Sequence, residues 1–115
     1  LEISLERFKH PLHGIVQLFR KDRKFLLHCI ITAAVIIICA AFNITAMEWL
    51  FIITAVFLVL ITEIVNSAIE YTVDLVTGDY HILARYAKDI AAAAVLFASI
   101  YAVIVGMVIL IPYVV

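Results

Sequence analysis

From Ile90 to Val115 the chain runs for 26 residues without a formal charge. As an α-helix rising about 1.5 Å per residue, that run reaches about 39 Å, more than the roughly 30 Å of hydrocarbon in a bilayer. The rest of the chain agrees. Hydrophobic residues make up 67% and charged residues 15%, with mean hydropathy +1.20, against about 45–50% and about 25% in ordinary soluble domains. A water-soluble fold of 115 residues has no interior large enough for so much apolar surface. The expected class is an all-α integral membrane protein.

The expected organisation is a single membrane domain over 1–115, with an N-terminal amphipathic interfacial segment over 1–20 and spans over 25–46, 47–76 and 89–113. Leu1, Leu5, Phe8 and Leu12 recur at helical spacing with Glu2, Glu6, Arg7 and Lys9 on other faces, the pattern of a helix lying at an interface rather than of a signal peptide. Pro11 is expected to break that helix. Asp22 sits among Arg20, Lys21, Arg23 and Lys24; the cations read as membrane anchors, the acid as a salt-bridge partner or a ligand group. Thr77-Gly78-Asp79 ends the second span and Tyr80 to Lys88 reads as a polar connection, with Asp89 capping the last helix or binding a ligand at its positive end. Cys29 and Cys39 lie about 15 Å apart along one helix, so they cannot pair with each other. Six Lys or Arg precede the first span, none separates the first two and two separate the last two. The N-terminus and second connection are therefore expected in the cytoplasm, with the C-terminus outside.

The second span changes character along its length. Trp49 to Thr62 is uncharged, and Glu63 to Asp74 then reads Glu-Ile-Val-Asn-Ser-Ala-Ile-Glu-Tyr-Thr-Val-Asp with no Gly or Pro. At about 100° per residue, Glu63, Ser67, Glu70 and Asp74 share a wedge of roughly 60°, with Asn66 at its edge. An ionisable group in a membrane carries a penalty of at least about 2.5–3.5 kcal/mol, so Glu63 needs a partner, a proton or a task. Proton or cation transport, general-base catalysis and assembly through interhelical hydrogen bonds could each employ it. Carboxylates gathered near Lys88 also suit a magnesium nucleotide, because Mg²⁺ takes a few carboxylates together with phosphate oxygens and water. The only glycines are Gly14, Gly78 and Gly106, so neither a phosphate loop nor a Gly-rich kinase loop can be written. Pattern alone reaches a small membrane protein with a polar, metal-assisted interfacial site.

Two blocks carry a resemblance that goes further. Glu63-Ile-Val-Asn66-Ser67-Ala68-Ile69-Glu70 followed by Val73-Asp74, and Tyr80-His81 followed by Ala87-Lys88-Asp89-Ile90-Ala91-Ala92-Ala93-Ala94-Val95-Leu96, resemble the signatures of the small bacterial membrane diacylglycerol kinase family. Phe8-Lys9, Gly14-Ile15, Phe25 and His28 extend the likeness. With Glu48-Trp49 they are similar to the Gram-positive branch, whose members resemble undecaprenol kinases.

The resemblance implies a homotrimeric helical bundle with sites between subunits, in a bacterial cell membrane. It implies a lipid kinase using ATP and Mg²⁺ to phosphorylate a primary hydroxyl, that of undecaprenol or, as the alternative, of diacylglycerol. Glu63 stands at the family's catalytic carboxylate and Glu70 at a metal ligand, while Asp79, Tyr80, His81, Lys88 and Asp89 match nucleotide-binding positions. Asn66 matches a polar residue beside the site. Asp22 falls where a metal-binding Glu is usual, one methylene longer, and is expected to serve both metal and nucleotide. His10 replaces a more usual Tyr. No nucleic-acid partner is expected; a proton-coupled transporter and a non-enzymatic assembly protein are the competing readings.

Overall fold

The computed structural model describes residues 2–115, with side chains described from residue 6 onward. Leu1 and the side chain of Leu5, both expected on the apolar face of the first helix, lie outside the described residues. Four helices follow in order, α1 (Glu2–Lys21), α2 (Arg23–Ala41), α3 (Ala46–Val76) and α4 (Ile82–Val114). The last three are each long and apolar enough to cross a membrane.

The first helix does not break at Pro11 as expected but continues through it. Proline removes one intrahelical hydrogen bond, a penalty of about 3 kcal/mol in a helix interior. Against that, Phe8, Leu12, Ile15 and Phe19 keep one register across the proline, so the apolar face stays continuous. The chain then turns at Asp22, whose extended backbone and side-chain bond to the Phe25 amide cap the start of α2. The rings of Phe19 and Phe25 meet edge to face across this corner at 5.3 Å.

Beyond α2 the backbone passes through Asn43 at φ 52°, a left-handed conformation that Asn tolerates better than most residues. Thr45 and Glu48 form a reciprocal capping box that starts α3. Tyr113, near the end of α4, donates to Glu48 Oε1 at 2.5 Å and packs its ring against Phe42. One corner therefore ties the ends of three helices together.

The fourth helix begins at Ile82 rather than at 89. His81 caps it, its Nδ1 accepting from the Leu83 amide at 3.1 Å, so Asp89 lies inside the helix and does not cap it. The ion pair of Arg85 with Asp89, four residues on, supports these added turns.

The most extensive packing joins α3 and α4. Ile52, Ala55, Val59, Glu63 and Asn66 on α3, and Ala91, Ala98, Val105 and Ile109 on α4, are buried at three-, four- and seven-residue spacings, the pattern of helices that interlock along one seam. Lipid removes most of the hydrophobic drive between helices, which makes the small residues Ala55, Ala91 and Ala98 useful for close approach. The apolar core, with Cys39, Ile44, Ile52, Val105 and Ile109, fills the half of this seam near the Asn43 turn. Both cysteines are free. Polar residues occupy the other half.

Candidate active site

The inward stripe of α3 changes from Ile52, Ala55 and Val59 to Glu63, Asn66 and Ser67, all six buried. Glu63 is 2% exposed and ranks with Cys39 as the most deeply buried of the larger side chains. Facing it from α2 is His28, with Nε2 at 3.5 Å from Glu63 Oε2. The other oxygen, Oε1, is buried with no hydrogen-bond partner among the described residues. A buried carboxylate oxygen left without a donor is unfavourable by about 1–3 kcal/mol or more, so this atom marks where a proton or a ligand belongs.

One turn further along α3, Asn66 donates from Nδ2 to Glu70 Oε1 at 3.0 Å, while its Oδ1 is buried and unpartnered among the described residues. Glu70 Oε1 also takes the Lys24 ammonium at 2.9 Å. With most of the Lys24 side chain exposed, that pair adds at most about 1 kcal/mol to stability. Its interest is the charge balance beside the buried acids. Asp22 joins the group through Ser67, whose hydroxyl donates to Asp22 Oδ2, while Asp22 Oδ1 holds the Phe25 amide at 3.1 Å. Among the described residues Asp22 has no cation partner; cap and Ser67 acceptor are its roles within the chain. Four of the expected residues, Asp22, Glu63, Asn66 and Glu70, thus form one cluster across the α2–α3 contact.

The remaining candidates gather at the α3–α4 turn, around a cavity of about 220 Å³ lined by Asp74, Asp79, Tyr80, His81, Arg85 and Lys88 among others. Lys88 pairs with Asp74 at 2.6 Å and Arg85 with Asp89 at 3.3 Å. The helix places Arg85 and Asp89 one turn apart on α4, leaving Lys88 to reach α3. Tyr80 and Asp89 are exposed. Glu70 is one turn, about 6 Å, from Asp74, so the rim cavity and the buried cluster are successive levels of one polar face.

Lys24 and His28 complete the cluster without having been singled out for it, Lys24 having been read as a membrane anchor. His28 belongs to a legible stripe, since Phe25, His28, Thr32, Val35 and Cys39 recur at three- and four-residue steps and are buried or half-buried. Lys24 had no such signal. Ser67, a member of the polar wedge, donates across to Asp22 at the start of α2.

Two carboxylates on facing elements and the open Asn66 carbonyl are a hard-oxygen set. No group of three or more His, Cys, Asp or Glu suited to a metal occurs among the described residues. Mg²⁺ does not demand one, because substrate phosphates and water fill most of its coordination sphere. A carboxylate has about four lone-pair sites, so the existing bonds of Asp22 and Glu70 leave capacity for an ion. The residues fit a magnesium nucleotide.

A family model described as prokaryotic diacylglycerol kinase matches residues 9–110, a range that includes every residue of both clusters. The undecaprenol kinase of Bacillus subtilis is 36% identical over 105 residues, covering 91% of this chain and 85% of that protein. The diacylglycerol kinase of Synechocystis sp. is 39% identical over 109 residues, 94% of this chain and 62% of that one. The diacylglycerol kinase of Escherichia coli K12 is 46% identical over 77 residues, 67% of this chain and 62% of that one.

Proposed function

The chain belongs to the prokaryotic diacylglycerol kinase family and is a multi-pass membrane lipid kinase; from that premise we propose that it transfers the γ-phosphate of ATP to the primary hydroxyl of undecaprenol, giving undecaprenyl phosphate. The observation that carries the catalytic reading is Glu63, buried in a membrane helix with one carboxylate oxygen unpartnered among the described residues. The choice of lipid rests on the similarity to the undecaprenol kinase of Bacillus subtilis, which extends over 91% of this chain and 85% of that protein. Diacylglycerol is the second reading. It is favoured by the higher identity, 46%, to the Escherichia coli diacylglycerol kinase over a shorter stretch.

Glu63 is the general base. Its Oε1 takes the proton of the lipid hydroxyl as that oxygen bonds to the γ-phosphorus and the bond from phosphorus to the β,γ-bridging oxygen breaks, releasing ADP. Burial keeps water from competing for the phosphoryl group, while the lipid reaches the acid from within the bilayer. Glu70 and Asp22, with the Asn66 carbonyl beside them, would hold Mg²⁺. Bound there, the ion supplies the positive charge that neutralises the phosphate oxygens. Lys88 adds a cation from the rim. Asp79, Tyr80 and His81 bound the nucleotide from the α3–α4 turn, where Arg85 and Lys88 supply the cavity's positive charge, and Asp89 adjoins them from the first turns of α4. The active form is a homotrimer in a bacterial cell membrane, with its N-terminus and site on the cytoplasmic side and its C-terminus outside.

The test is magnesium-dependent transfer of radiolabelled γ-phosphate by purified protein in mixed micelles, with undecaprenol in one sample and diacylglycerol in another. Polyprenyl phosphate in large excess is the expected product. Mainly phosphatidic acid would keep the site and overturn the substrate. No product from either lipid, in folded and oligomeric protein, would overturn the kinase reading.

A further inference from the structure

The mechanism above leaves His28 without a task. It is the one titratable residue lining an apolar groove of about 520 Å³ between α2, α3 and α4, and its side chain, 22% exposed, faces Glu63 at 3.5 Å. From the position of this imidazole against one carboxylate oxygen while the other has no partner among the described residues, we infer that His28 is a positioning residue that holds Glu63 Oε2 and thereby presents Oε1 to the lipid hydroxyl. This rests on the reading of Glu63 as the general base.

A carboxylate on a free side chain presents either oxygen by rotating about its last torsion, which is broad and roughly two-fold. A donor on one oxygen removes that freedom and leaves the other for chemistry, as a third group orients the base in nucleophile–base constellations. Of the other donors in the cluster, Asn66 and Lys24 go to Glu70 and Ser67 goes to Asp22. His28 is therefore the only donor facing Glu63 among the described residues. A separation of 3.5 Å is long for a hydrogen bond, but catalytic hydrogen bonds are commonly long before substrate arrives and tighten when it binds. The backbone favours the arrangement too. Phe25, buried one turn before His28, lies on the same face of α2.

A histidine that merely fills space beside an acid makes a different prediction, and three variants separate the two. His28→Leu removes the donor and keeps the bulk; His28→Gln keeps an amide nitrogen at about the reach of Nε2; Glu63→Gln removes the base. The quantities to measure are kcat and KM for both substrates, with the thermal midpoint and oligomeric state of each variant. If His28 acts through Glu63, His28→Leu lowers kcat roughly 10–100-fold, leaves KM for ATP within about twofold and is largely rescued in His28→Gln. In a Glu63→Gln background His28→Leu then causes no further loss, because residues acting as a unit are non-additive. A His28→Leu protein with wild-type kcat overturns the inference. So does a loss that tracks a lowered midpoint and persists in His28→Gln, or one that multiplies with Glu63→Gln. If Glu63→Gln itself retains activity, the general-base reading fails first, and that outcome is distinct from a silent His28→Leu in a protein whose Glu63→Gln variant is dead.

Discussion

Asp22 performs two jobs at once, and they come apart under substitution. Its Oδ1 caps α2 through the Phe25 amide, and Ser67 reaches its Oδ2. Asn caps as well as Asp but has no charge to offer a metal. Asp22→Asn should therefore unfold within about 0.5 kcal/mol of wild type while losing at least about tenfold in activity and requiring more Mg²⁺ for half-maximal rate. Titrating Mg²⁺ against phosphoryl transfer, with a parallel unfolding series, reads both effects. Glu63→Gln is isosteric and keeps a buried polar group in place, so the variant should fold normally and lose roughly 10²–10⁴-fold in kcat, the span usual for a general base. Turnover close to wild type in purified protein would remove Glu63 from that role. At this scale the acids were legible in advance, because four polar side chains on one face of an otherwise apolar helix are improbable without a task. The donors were not. Lys24 and His28 meet residues 46 and 35 positions away; the stripe that holds His28 marks an inward face of α2 but not the acid it meets, and Lys24 has no local signal.

The helices themselves were largely legible, since period and hydropathy are local properties. Their ends were less so. Pro11 is the residue most apt to break a helix, yet α1 continues through it because the apolar face on either side shares one register. The start of α4 was expected at 89, where the formal charges stop, but the backbone responds to capping and helix propensity rather than to charge. His81 caps it seven residues earlier than Lys88, and Arg85 and Asp89 pair along it. At the opposite end, Glu48 accepts from the Thr45 amide and from Tyr113, linking the start of α3 to the end of α4. Tyr113→Phe removes one of these bonds and keeps the ring against Phe42. It should lower stability slightly, read as a small shift to lower denaturant of the midpoint of a denaturation series in micelles. Because Glu63 and Glu70 lie in the other half of the bundle, kcat should stay within about twofold of wild type.

As a whole the molecule is a thin slab of 51 × 44 × 20 Å. No more than a third of the apolar window of any span is buried within the chain, which leaves room for lipid and for other subunits. The cluster of Asp22, Glu63, Asn66 and Glu70 nevertheless assembles inside a single chain. A site shared between subunits would set this cluster against the rim of a neighbouring chain, where Lys88 and Asp89 lie on α4. Mixing chains that carry Glu63→Gln with chains that carry Asp89→Asn is then expected to restore activity that neither variant shows alone. Mixed oligomers as inactive as either parent would mean that each chain completes its own site.

Three spans, an acidic stripe on the second and the family itself follow from the sequence alone, because apolar length and helical period are read residue by residue and two polar blocks survive at fixed separation. The tertiary structure alone decided that Asp22 meets Ser67, that Glu70 takes Lys24, that Lys88 rather than Arg85 reaches Asp74, and that one oxygen of Glu63 faces His28 while the other has no partner. Those pairings depend on how α2 and α4 are rotated and slid against α3. That choice is made by packing between helices, where buried small residues such as Ala55, Ala91 and Ala98 permit close approach, and it joins residues far apart in the chain.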